Sequence, residues 1–108
     1  KDIKIVKVDS VHVRYFHYTH RCVTCNTVED VARMAVKENF GENVTFNTHN
    51  LNLNAGKEVG KKLEVSGQAL VIQAGDAKID LTDVGFLHAV SNPEKLEQTI
   101  KEKIDPFL

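Results

Sequence analysis

Two hydrophobic periods alternate along the chain. Ile3 to Val8 (IKIVKV) is rich in β-branched residues and partly alternating, and Asp9-Ser10 breaks it. Val11 to His17 (VHVRYFH) then sets Val11, Val13 and Tyr15 against His12, Arg14 and Phe16. A period of two predicts a strand for each run. The period next lengthens. Val28, Val31, Ala32, Ala35, Val36 and Phe40 recur at helical spacing, predicting a helix from about Val23 to Asn39. Gly41 behind Phe40 suits a left-handed C-terminal cap. Glu29 and Asp30 are read as early acidic residues favoured by the positive helix end.

Val44 to Leu51 (VTFNTHNL) predicts a strand, and Ala55 to Leu63 (AGKEVGKKL) a weaker helix, since Gly56 and Gly60 each cost about 1 kcal/mol against alanine. Ala69 to Gln73 is a short apolar strand of the kind buried on both faces. Gly75-Asp76 suits a hairpin turn, with Lys78 to Leu81 as the returning strand. Asn92 suits a cap, Pro93 the first helical position and Glu94 the first turn. Leu96, Ile100 and Ile104 mark one face of this last helix, and Pro106 stops it. The order of strands and helices contains a βαβ unit followed by a hairpin and a helix. It predicts an α/β fold with a mixed central sheet of four to five strands and helices on both faces.

Composition narrows the function classes. The chain has 108 residues, with 14 Lys+Arg against 15 Asp+Glu and a formal charge of −1. One domain over residues 1–108 is expected. The balanced charge argues against nucleic-acid binding, which needs a cationic excess. The longest apolar run, Ala69-Leu70-Val71-Ile72, falls far short of the roughly 20 residues of a membrane span. No signal-peptide pattern is visible. The chain opens on Lys1, and the expectation for localisation is an exported or periplasmic bacterial protein.

The chemistry lies in Cys22-Val23-Thr24-Cys25, which holds both cysteines of the chain just after a strand and at the start of a helix. A thiol attacks as its thiolate, and a helix N-terminus stabilises one through unpaired N–H groups and a partial positive charge. Arg21 adds a full positive charge beside Cys22. The second sulfur, one turn away, is placed to resolve a mixed disulfide on the first, so the pair can carry two electrons. Within a βαβ pattern this spacing points to redox chemistry. A structural disulfide closing so small a loop would contribute little.

These residues resemble the thioredoxin fold. The closer resemblance is to a bacterial thioredoxin-like family of nitrophenyl-compound nitroreductase subunits of the ArsF type. It is carried by Tyr15-Phe16-His17, Arg21-Cys22-Val23-Thr24-Cys25 and Val65-Ser66-Gly67-Gln68-Ala69-Leu70-Val71, and it extends from about Val11 to Ile104. The resemblance implies thiol–disulfide exchange or electron transfer with a protein partner bearing a thiol or disulfide. Cys22 would attack, Cys25 would resolve, and Arg21, Gln68 and Ala69 would support them. It implies no organic cofactor in this chain, which also lacks a Gly-rich dinucleotide fingerprint. Any flavin or metal for nitro reduction would come from another subunit.

The chain departs from ordinary thioredoxins at three places. Arg21 and Val23-Thr24 stand where those proteins carry Trp and Gly-Pro. Ala69, preceded by Gln68, stands at the cis-proline position, and a non-proline residue is expected in trans. Phe16 replaces the buried acid six residues before the first cysteine, leaving His17 and His20 as the nearest candidate bases.

Alternative readings remain for these residues. His17, His20, Cys22 and Cys25 together offer a nitrogen and sulfur ligand set for zinc. A redox-inactive thioredoxin-like binding module or accessory subunit would leave the cysteines idle or bridged. Arg21 is either a thiolate-tuning or anion-binding group or a solvated loop charge. Gln68 is either a hydrogen-bonding residue for substrate backbone or a turn residue. Lys57, Lys61 and Lys62 form the wet face of a short helix.

Overall fold

Alternation in Val11–His17 produces a strand whose two faces meet different partners. The computed structural model describes residues 10–20 and 22–108. The strand expected over Ile3–Val8 lies outside them. β1 (Val11–His17) runs where the period of two places it. α1 (Val23–Phe40) follows, burying Val28, Ala32, Ala35, Val36 and Phe40 at the expected helical spacing. Gly41 ends it at φ 57°, in the left-handed region, and its N–H donates to the Lys37 carbonyl. A short 3-10 turn (Gly41–Asn43) leads into β2 (Val44–Asn50). β1 and β2 are parallel from Val11↔Val44 to His17↔Asn50, so α1 is the crossover of a βαβ unit.

α2 (Asn54–Lys62) then leads to β3 (Ala69–Ala74), which runs antiparallel to β1 with Phe16 opposite Ala69. Gly75, at φ 59°, turns the chain into β4 (Ala77–Asp80). α3 (Thr82–His88) and α4 (Pro93–Ile104) complete the described fold. The mixed sheet has four strands among the described residues, in the order β2-β1-β3-β4.

Pleating divides the core into two. Val11, Val13 and Tyr15 pack with Leu70 and Ile72 against α1 and α4, where Leu96, Ile100 and Ile104 are fully buried. Each such side chain contributes about 1.5–3 kcal/mol through removal from water. On the other face Phe16, Leu51, Ala69 and Val71 form a smaller cluster with Val59, Leu63 and Val65. Helices therefore cover both faces, as the sequence predicts. Beside that smaller cluster the sheet is polar. Arg14 Nε donates to Gln73 Oε1 at 2.8 Å, and its Nη1 lies 3.0 Å from His49 Nε2.

Three expectations are corrected. The hydrophobic pattern does not predict α3. That helix has no side-chain cap and is held by tertiary contact, with Gly85 against Leu70 and Val28. β4 spans Ala77–Asp80 rather than Lys78 to Leu81, and the Leu81 N–H instead donates to the Leu70 carbonyl at 2.8 Å. The helix begins at Val23 as expected, so Glu29, read as an early charge, lies beyond the first turn and too far in to meet the positive helix end. It is buried and pairs with Arg33, whose guanidinium lies 5.4 Å over the Phe46 ring.

Candidate active site

The C-terminal end of β1, the N-terminus of α1 and the chain entering β3 supply the side chains of this site. Cys22 is the N-cap of α1, with extended backbone (φ −100°, ψ 170°). Its Sγ accepts the Cys25 N–H at 3.1 Å, the role a serine or aspartate oxygen plays at other helix starts. Cys22 is exposed, Cys25 is buried, and both are free thiols.

The two sulfurs differ in acidity for separable reasons. Cys22 is held below the usual thiol range, first by a hydrogen bond from the Cys25 side chain and then by the Cys25 backbone N–H. Burial pushes Cys25 up, and its hydrogen bond to Cys22 pushes it further. The exposed sulfur is therefore the one that ionises first, and the buried one keeps its proton longer.

Gln68 closes the site from the other side. Its Oε1 accepts the Cys25 S–H at 3.0 Å. Ala69 follows it, buried at the start of β3 and opposite Phe16 in the register. No cis peptide bond occurs among the described residues, so Ala69 is trans.

The sequence missed Tyr15. Attention to the position six residues before Cys22 leads to Phe16, but Phe16 belongs to the cluster on the opposite sheet face. Tyr15 is fully buried on the α1 side, and its hydroxyl acts on the Cys25 sulfur, favouring the thiolate. The signal was present in the alternation, since Tyr15 shares parity with Val11 and Val13 and so must face α1.

The histidines do not take the expected places. His17 Nδ1 lies 3.0 Å from the Tyr18 carbonyl oxygen, and its ring stacks on Tyr15 with centroids 6.0 Å apart. His20 is exposed. The side chains acting on Cys25 are Cys22 and Tyr15, and neither histidine is among them. Among the described residues no three His, Cys, Asp or Glu side chains stand together as a metal site would require, so His17, His20, Cys22 and Cys25 do not converge on a zinc position. Arg21 lies outside the described residues.

An open cleft of about 650 Å³ is lined by Tyr18, Leu51, Lys57, Lys61, Val65 and Ser66 among others. Two of the lysines read as a wet helix face thus stand on its wall. Among the described residues no helix is long and apolar enough to cross a membrane.

No family model matches the chain and no curated protein matches it, so the resemblance to nitroreductase subunits is not confirmed. Solved structures do. A malarial protein is 21% identical with a TM-score of 0.56, covering 86% of this chain and 96% of that one. Chloroplastic thioredoxin z, described as having a type-specific target recognition, is 20% identical with a TM-score of 0.54, covering 94% and 98% respectively. At these identities the likeness establishes the fold. The four-stranded mixed sheet with its flanking helices is thioredoxin-like.

Proposed function

We propose that this chain acts as a single thioredoxin-like domain that exchanges thiols and disulfides with a protein partner. The observation that carries the reading is the placement of the Cys22 sulfur, exposed at the N-cap of α1 and accepting the Cys25 N–H, with the Cys25 thiol behind it. The Cys22 thiolate attacks one sulfur of the partner's disulfide, and the other partner sulfur leaves as a thiolate and takes up a proton. Cys25 then loses its proton and attacks Cys22 Sγ. The Cys22–Cys25 bond forms as the bond to the partner breaks, and the second partner thiolate departs. The dithiol loses two electrons and the partner disulfide gains them. Arg21 adds a positive charge next to the attacking thiol in sequence, Gln68 accepts from the resolving one, and Ala69 follows Gln68 at the start of β3.

Incubating the reduced protein with a disulfide-bonded protein substrate tests this. The wild type should finish with a Cys22–Cys25 disulfide, Cys25→Ser should retain the substrate as a mixed disulfide on Cys22, and Cys22→Ser should retain none. Equal retention on Cys22→Ser and Cys25→Ser would overturn the reading.

A second reading is a binding module or accessory subunit, as the resemblance to nitroreductase subunits suggests. The cleft walled by Tyr18, Leu51 and Val65 favours it, because it offers a partner apolar surface independent of the thiols. Partner binding undiminished in a Cys22→Ser/Cys25→Ser protein, with no exchange in the wild type, would select it.

A further inference from the structure

This inference rests on the exchange reading and concerns how the buried thiol gives up its proton. Cys25 has one S–H and two acceptors for it, the Cys22 sulfur and Gln68 Oε1. A single proton cannot serve both. While Cys22 is a thiolate it is the stronger acceptor, because hydrogen bonds to charged groups are roughly twice as strong as neutral ones. Once Cys22 is joined to the partner, its sulfur is neutral. The Cys25 S–H is then left to Gln68, which stands 3.0 Å away.

We propose that Gln68 is a two-way clamp on the resolving sulfur, accepting the Cys25 S–H through Oε1 while the thiol is neutral and donating through Nε2, after its amide turns over, once the thiolate forms. The Tyr15 hydroxyl, on the sheet side, favours the thiolate form of the same sulfur. Three observations support the assignment. Gln68 is exposed, so its amide has room to rotate. Cys25 is 5% exposed, so water reaches its sulfur poorly and a fixed side chain must supply most of its hydrogen bonding. An amide alone among the polar side chains of similar size carries both a carbonyl acceptor and two N–H donors, whereas an ionised carboxylate only accepts. Gln68 is thus a positioning residue, and it fills a place where a carboxylate would repel the thiolate it must help to form.

The charge balance follows the exchange sequence. The Cys25 proton passes to solvent, where the departing partner thiolate takes one up. The Cys25 electron pair forms the new bond to Cys22 Sγ, and the pair of the old bond leaves with the partner sulfur. The groups acting on Cys25 are Cys22 on its own helix and Tyr15 from β1. The cleft beyond Gln68 carries Glu64, Lys78, Asp80 and Asp83.

The test uses a symmetric aromatic disulfide that releases a coloured thiolate. The reduced protein liberates one equivalent when Cys22 attacks and a second when Cys25 resolves the adduct. The pH profile of the second release is the readout, with folding checked by circular dichroism. Gln68→Glu should move its midpoint to higher pH, and a midpoint one pH higher slows the second release about tenfold at neutrality. Tyr15→Phe should move it in the same direction. A Gln68→Glu protein with the wild-type midpoint overturns the clamp while the wild-type second release still upholds exchange. A Tyr15→Phe protein with the wild-type midpoint overturns the part given to tyrosine. A wild type that releases only one equivalent overturns the exchange reading and the clamp with it.

Discussion

Gly56→Ala should destabilise the protein although it replaces a poor helix former with the best one. A Cβ at position 56 would lie 2.0 Å from the Asn50 carbonyl oxygen, 2.6 Å from its carbon and 2.9 Å from its nitrogen. Ordinary carbon–oxygen contacts are about 3.3 Å or longer, so the first turn of α2 must lift by about 1 Å or the end of β2 must give way. Every obstructing atom is backbone, and no rotamer change relieves it. The next residue is also tied, since the Leu51 N–H donates to the His17 carbonyl at 2.7 Å. Lifting α2 would loosen Val59 and Leu63 from Phe16, Leu51 and Val71. Overpacking of this kind costs about 1–3 kcal/mol and occasionally more, against about 1 kcal/mol of helix propensity gained. A net loss of about 2 kcal/mol is expected, with the clash placing it at the upper end of that range. Gly60→Ala is the matched control, for its nearest obstacle is the tip of a side chain, Leu51 Cδ2, at 3.2 Å. Equilibrium urea unfolding of both variants reads the difference as a lower midpoint at an unchanged slope. Equal midpoints would refute the packing of α2 against β2.

Acidification should weaken the fold through the polar sheet face. Burial first, and the Arg14 charge second, hold His12 and His49 below their ordinary 6.5. The unfolded chain therefore binds protons that the folded chain refuses, so this stability is complete above pH 6.5 and drains away as pH falls toward the folded values. Urea midpoints should drop on going from neutrality to about pH 5, and less steeply in His49→Gln, with equal slopes contradicting the assignment. Asn92→Ala removes the side chain that accepts the Lys95 N–H and should cost about 1 kcal/mol in thermal or urea unfolding. Ile100→Ala, at a fully buried position, should cost about 2–5 kcal/mol, and a loss below about 1 kcal/mol by the same measurement would place α4 off the core.

Elements built on strong periodicity were legible in the sequence, and elements held by distant contacts were not. β1 and α1 follow from alternation and from the 3.6-residue recurrence, and Pro93 and Asn92 mark α4 without ambiguity. α3 escaped because its seven residues show no clear apolar stripe and contain Gly85, which reads as a helix breaker. What holds it is invisible locally, namely the fit of Gly85 against Leu70 and the Leu70 N–H donated to Thr82 Oγ1. Glu29 misled for a related reason. Its position suggested a helix-start charge, but its burial with Arg33 depends on where β2 brings Phe46. At the site, the spacing of the cysteines and the helix-start placement of Cys22 could be read directly. The partners of Cys25 could not, since Gln68 lies 43 residues further along the chain and Tyr15 is identified only by which sheet face its parity selects.

The account stands most directly on the ionisation of Cys22. Alkylation of the reduced Cys25→Ala and wild-type proteins, followed over pH with the modified residue located by mass spectrometry, reports it. Cys22 in the wild type should react with an apparent pKa clearly below the roughly 8.5 of a free thiol, and removal of the Cys25 S–H should raise that value. A wild-type Cys22 that titrates at or above about 8.5 would contradict a thiolate poised at the start of α1.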